Sequence, residues 1–206
     1  CIAIAGSHGK TTTTSLVGNI LESGKLDPTI VNGGIINSFS KNNKFGKGEW
    51  MVVEADESDG SFLRLPHQIS IITNLDNEHL DYYKSSKNLY SAFEQFIMKL
   101  PFYGISIINE DDKNLKKIID NNHTRKIISF SKKNKKANIF IENISFENEY
   151  TKFKLKFNTP INNIKGSYSY KIKAIGMHNV LNGTASIIAG LLAGVKNSYI
   201  KSALVH

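Results

Sequence analysis

The sequence predicts an α/β fold: a mostly parallel, P-loop-type sheet with helices on both faces, plus a small antiparallel β-sheet. Three observations carry this. Short apolar runs alternate with helical patterns through the first 130 residues or so, as in parallel sheets covered on both sides. The first run leads through a glycine loop into a helix. After about residue 136 the apolar residues change to period two, the mark of half-exposed antiparallel strands.

Cys1-Ile-Ala-Ile-Ala5 is a short apolar run ending at Gly6 and reads as a buried strand. Leu16, Val17, Ile20 and Leu21 have helical spacing within Thr11 to Leu21, and Gly24 suits that helix's end. Trp50 to Ala55 and Ile69 to Thr73 read as further strands. Leu89 to Leu100 is an amphipathic helix stopped by Pro101. Ile105 to Ile108, Asn114 to Ile119 and Lys126 to Phe130 continue as strand, helix and strand. The alternating segments Ile139–Ile141, Phe153–Phe157 and Tyr168–Ile172 place the antiparallel sheet within about residues 137–175. A helix resumes at Asn179 with Val180, Leu181, Ala185, Ile188, Leu191 and Leu192 on its apolar face, and a second helical piece follows.

The 206 residues fit one large domain or one domain plus a small appendage, and 40% hydrophobic residues suffice for a core. One cysteine, Cys1, excludes an internal disulfide or a cysteine-based zinc site and agrees with a reducing, cytoplasmic location. No apolar run is long enough to span a membrane, and no basic region precedes Cys1 as in a signal peptide. The chain reads as a piece of a longer protein. Its net charge of +8 raises the question of nucleic acid, but runs such as Lys132 to Lys136 read as a solvated face, with no Arg–aromatic interleaving for base stacking.

Four constellations carry chemistry. Gly6-Ser-His-Gly-Lys-Thr11 lies between strand and helix, where backbone N–H groups and the helix dipole attract an anion. Lys10 can reach terminal phosphates and Thr11 can offer a hydroxyl to Mg²⁺, with Gly6, Ser7, His8, Gly9 and Thr12 completing the cradle; the competing reading is a tight glycine turn. The general P-loop glycine five residues before Gly9 is replaced by Ile4. Val53-Glu-Ala-Asp-Glu-Ser-Asp-Gly-Ser-Phe62 crowds carboxylates at a strand end, where a cation has to offset them unless this is simply an acidic, solvated loop. His79 lies in Thr73-Asn-Leu-Asp-Asn-Glu-His-Leu-Asp-Tyr-Tyr83, in company that suits a metal or phosphate site better than a core. Asn179 and Asn182 in Gly176-Met-His-Asn-Val-Leu-Asn182 share a helical face; they can pair with adenine or, alternatively, cap the helix.

The short loop, with Ser7 where Thr is usual, resembles that of the Mur ligase and folylpolyglutamate synthetase superfamily. The four motifs in this order, together with Val31-Asn-Gly-Gly34 and Leu100-Pro-Phe-Tyr-Gly104, resemble the Mur ligases along the whole chain, most weakly from 112 to 172. The resemblance implies that residues 1–206 are the central ATP-binding domain, with a UDP-sugar domain before it and a C-terminal domain after it. It implies ATP and Mg²⁺ as cofactors, and UDP-N-acetylmuramate and L-alanine as substrates joined through an acyl phosphate. Lys10 would hold phosphates, Thr11 and Glu54 one Mg²⁺, and His79 a second; Asn179 and Asn182 would lie near adenine, with His178 a weaker candidate. Lys10, Glu54 and His79 are thus the expected catalytic set. No lysine matches the carbamylated one of several relatives, and Glu94 is the candidate substitute. Alternatives are another Mur ligase, a folylpolyglutamate-type synthetase, or a non-catalytic nucleotide- or nucleic-acid-binding module. The acidic segment argues against the nucleic-acid reading, since it repels a phosphate backbone.

Overall fold

The computed structural model describes residues 1–33, 43–121 and 124–205; Gly34 of the glycine pair and His206 lie outside them. Among the described residues the strands are β1 Ile2–Ala5, β2 Thr29–Val31, β3 Met51–Glu54, β4 Ile69–Ile72, β5 Ile105–Asn109, β6 Lys126–Ser131, β7 Ile139–Glu147, β8 Tyr150–Ile161 and β9 Ile164–Ile172. They form one sheet in the order β2-β3-β1-β4-β5-β6-β7-β8-β9. Every pairing from β2 to β7 is parallel; β7–β8 and β8–β9 are antiparallel.

The antiparallel strands expected after residue 136 are β7 to β9, but they are not a separate appendage. β7 joins β6 in parallel through Phe130↔Ile139 and Ser131↔Phe140, so both parts share one continuous sheet. Period two in the sequence reports which side of a strand is wet; it cannot tell whether that strand starts a new sheet or extends an old one.

Helices α1 Lys10–Ser23, α5 Met177–Leu192 and α6 Asn197–Ala203 cover one face. A 3-10 turn at Ser61–Arg64 and helices α2 Leu80–Tyr83, α3 Ser86–Met98 and α4 Lys113–Asn121 cover the other. The alternation of β1 explains how one strand serves both: Ile2 and Ile4 enter the core with α1 and α5, Ala3 and Ala5 that with α3. Fully buried side chains such as Phe93, Phe96 and Phe130 each contribute about 1.5–3 kcal/mol by leaving water.

Local signals set the helix ends. Ser85 caps α3 by accepting a hydrogen bond from the Asn88 N–H at 3.2 Å. Asp112 caps α4 by accepting from the N–H groups of Asn114 and Leu115 at 2.8 and 3.0 Å. The periodic pattern does not reveal β2, α2 or the 3-10 turn, each only three or four residues long.

The fold places its loops for ligand binding. β1 is flanked by β3 on one side and β4 on the other, and the crossover after β1 runs the opposite way from β4 to β5. Such a switch point opens a crevice at the carboxyl ends of the strands.

Candidate active site

The loop after β1 contains two glycines in backbone states that larger residues rarely adopt. Gly6 has φ 130, and a Cβ there would stand 2.3 Å from Thr73 Oγ1. Gly9 has φ 84 and is the residue before α1; a Cβ there would meet the Asn182 side chain at 2.9 Å. No side chain caps α1, so the N–H groups of its first turn are the donors a helix start leaves for an anion.

The loop from β4 braces this cradle. Ser7 Oγ accepts from the Asp76 N–H at 2.9 Å, and the His8 carbonyl accepts from Thr73 Oγ1 at 2.7 Å and Asn74 Nδ2 at 2.8 Å. The Ser7 oxygen thus ties the cradle to the loop after β4. The His8 ring turns outward, 3.2 Å from Glu78 Oε1 and 3.6 Å from Asp76 Oδ2. Thr12 is exposed on the first turn of α1.

Lys10, Thr11, Glu54 and His79 meet at the carboxyl ends of β1, β3 and β4. Thr11 Oγ1 donates to Glu54 Oε1 at 3.1 Å, and the Gly33 N–H donates to Glu54 Oε2 at 3.0 Å. Glu54 thus links α1 to the segment after β2. Lys10 Nζ donates to the Gly6 carbonyl at 2.7 Å and to both Glu57 oxygens at 2.9 and 3.0 Å. His79 Nε2 stands 3.7 Å from Glu57 Oε1. His79 itself has φ 55, a left-handed conformation uncommon among non-glycine residues though histidine is one of those that adopt it most, and it immediately precedes α2.

Glu57 is the residue that the sequence did not single out. Its side chain is 2% exposed. Tyr83 donates to its carbonyl at 2.5 Å, and burial, reinforced by the Glu57 charge, pushes the Tyr83 hydroxyl well above its usual pKa. The crowding of acids after β3 was the available signal; nothing local separates Glu57 from its neighbours. The structure does so: Asp56 and Asp59 each accept from a backbone N–H two residues on, at 3.0 and 2.9 Å, and build the loop, while Glu54 and Glu57 face the cradle. Glu94 lies half-buried on α3, and the carboxylate beside His79 is Glu57.

A cleft of about 590 Å³ adjoins the loop, lined by His8, Gly9, Asn109, Asp111, His178 and Asn182 among others. Asn182 and His178 belong to it. Asn179, one residue after His178, donates its Nδ2 to the Ile175 carbonyl at 2.9 Å; this is not an N-cap, since Gly176 holds that position and no side chain caps α5.

The donor set fits a triphosphate with Mg²⁺. Glu54 and Thr11 offer hard oxygens in contact with each other, Lys10 offers a cation, and α1 offers free N–H groups. Among the described residues no group of three or more His, Cys, Asp or Glu side chains is gathered to hold a metal alone. Mg²⁺ is commonly held by one or two carboxylates with phosphate oxygens supplying the rest, so a partial set suits it.

Known proteins resemble this chain over nearly its whole length. The family model described as "Mur ligase middle domain" matches residues 4–190. The UDP-N-acetylmuramate–L-alanine ligase of Pelagibacter ubique is 42% identical over 98% of this chain, and that of Methylobacterium radiotolerans 41% over 99%. This chain spans about 44% of the length of those curated relatives. The crystal structure of UDP-N-acetylmuramate-alanine ligase from Thermotoga maritima superposes with TM-score 0.79 and 29% identity, over 98% of this chain and 43% of that one. A MurF ligase from the same organism, solved with ADP, shares the fold at TM-score 0.76 and 19% identity, over 98% of this chain and 47% of that one.

Proposed function

We propose, from the premise that this chain belongs to the Mur ligase family as a middle domain, that it is the ATP-binding part of a ligase joining L-alanine to UDP-N-acetylmuramate. The step belongs to peptidoglycan precursor synthesis. One observation carries the reading: Lys10, Thr11, Glu54 and His79, from three separate stretches of chain, converge on a glycine cradle at a helix start. The identities above 40% to ligases of that name support the choice of substrates.

The chemistry asks for what these residues offer. A carboxylate is a poor electrophile; attack on the γ-phosphate of ATP makes an acyl phosphate, and the amine of L-alanine then displaces phosphate. The first step brings two anions together, so fixed positive charge does most of the catalytic work. Lys10 and the N–H groups at the start of α1 hold the phosphates. Thr11 and Glu54 would hold one Mg²⁺ and His79 would help hold a second, and the ions would supply further charge neutralisation. Asn182 and His178 line the cleft that receives the adenine, with Asn179 steadying the helix start. In this reading the sugar and the amino acid are held by domains beyond this chain, the enzyme works in the cytoplasm beside its nucleotide substrates, and the isolated chain binds ATP without ligating.

The test is an assay of the complete protein with UDP-N-acetylmuramate, ATP and Mg²⁺, offering L-alanine, L-serine, glycine or D-glutamate, with folates as alternative acids. ADP release with L-alanine preferred is expected. A preference for D-glutamate or for folates overturns the assignment.

A further inference from the structure

We infer that Glu57 makes phosphate binding at Lys10 conditional on a divalent cation, acting as a positioning residue for the lysine. The inference rests on the reading of Lys10 as the phosphate ligand. Its basis is the contrast between the two glutamates of the segment after β3. Glu54 is half-exposed and touches a hydroxyl and an N–H, so its charge is available to a metal. Glu57 is buried and grips the Lys10 ammonium with both oxygens, at 2.9 and 3.0 Å.

Glu57 is also anchored. The Tyr83 hydroxyl and the Gly60 N–H, 2.5 and 3.2 Å away, both donate to its carbonyl. Those bonds hold the backbone; the carboxylate itself is 2% exposed with both oxygens on Lys10 Nζ, whereas an exposed one could swing into water when an anion approaches. While no phosphate is bound, the pair holds Lys10 in the loop, with its third contact on the Gly6 carbonyl at 2.7 Å. A phosphate that reaches Nζ comes within a few ångströms of the Glu57 carboxylate, and like charges at that range in a partly dry site repel strongly. A cation sharing the space offsets the repulsion. His79 Nε2, 3.7 Å from Glu57 Oε1, offers a ring nitrogen on the same side and brings no second negative charge. The arrangement discriminates metal-bound nucleotide from free nucleotide before any chemistry begins.

The experiment is titration calorimetry of ATP on the full chain, once with excess EDTA and once with Mg²⁺, for the parent and for Glu57→Gln. Glu57→Gln should tighten metal-free binding by about fivefold or more, the scale of one partly screened like-charge contact. The gain in affinity from Mg²⁺ should shrink by a similar factor. A purely structural role for Glu57 moves both affinities together and leaves that ratio unchanged; an unchanged ratio overturns the inference. Should Glu57→Gln fail to fold, Glu57→Met, neutral and suited to burial, is read by the same ratio. If the parent itself binds no ATP with Mg²⁺ present, the phosphate reading of Lys10 falls, and this inference with it.

Discussion

The parallel and antiparallel parts of the sheet share a core but not a role. Residues 1–120 carry 12 Lys+Arg against 15 Asp+Glu, whereas residues 121–206 carry 14 against 3, so the chain's positive excess lies entirely in the second stretch. The site lies almost wholly in the first, at the ends of β1, β3 and β4. There the strands are covered on both faces, so loops at the sheet's carboxyl edge are the places left for polar chemistry. In β8, by contrast, Thr151, Phe153, Leu155 and Phe157 are buried while Lys152, Lys154 and Lys156 point to the open side. The lesson is that a basic sequence is not a basic site: the positive excess is spread over the strands, loops and helix after residue 120, part of it on the open face of β8, and the lysine expected to do chemistry is paired and mostly buried.

Mutation can sharpen this contrast. Lys10→Met, in the acidic half, should weaken ATP binding by about a hundredfold, because it removes the cation that meets the phosphates. It also leaves Glu57 buried without its ammonium partner, with only His79 Nε2 3.7 Å away, which costs about 3–5 kcal/mol of stability; calorimetry and urea unfolding read the two effects. Phe157→Ala, in the extension, should cost a similar 3–5 kcal/mol or so by opening a cavity, since Phe157 is 4% exposed and packs edge-on against Tyr168 at 6.0 Å. In the folded protein its ATP affinity should stay within about twofold of the parent. A large loss of affinity there would join the two regions functionally and break the comparison.

The smallest effect belongs to the lysine face. Lys171 lies directly across from Lys152 in the β8–β9 register and also sits over the Tyr150 ring at 3.7 Å. Like-charge repulsion and cation–π attraction oppose each other at comparable size. Lys171→Ala should therefore change stability by less than about 0.5 kcal/mol and leave ATP binding alone. A shift in nucleotide affinity on that substitution would show that the basic face reaches the site.

The sequence by itself determined the order of the long elements and the place of the glycine loop Gly6 to Thr11 between strand and helix, and it named Lys10, Glu54 and His79 as candidates. These are legible because periodicity is a local property and because a glycine loop between strand and helix has one ready use. Only the tertiary structure decided which acids face the cradle. Glu54 and Glu57 stand three residues apart in a loop, where spacing sets no common face, and their partners Thr11 and Lys10 are more than 40 positions away in the chain. Whether Asn179 or Asn182 lines the cleft was likewise settled by how α5 packs against Gly9, and the continuity of the antiparallel strands with the parallel sheet by a two-residue register between β6 and β7. Pattern along a chain fixes what each segment can become; contacts between segments distant in sequence fix which side chains meet.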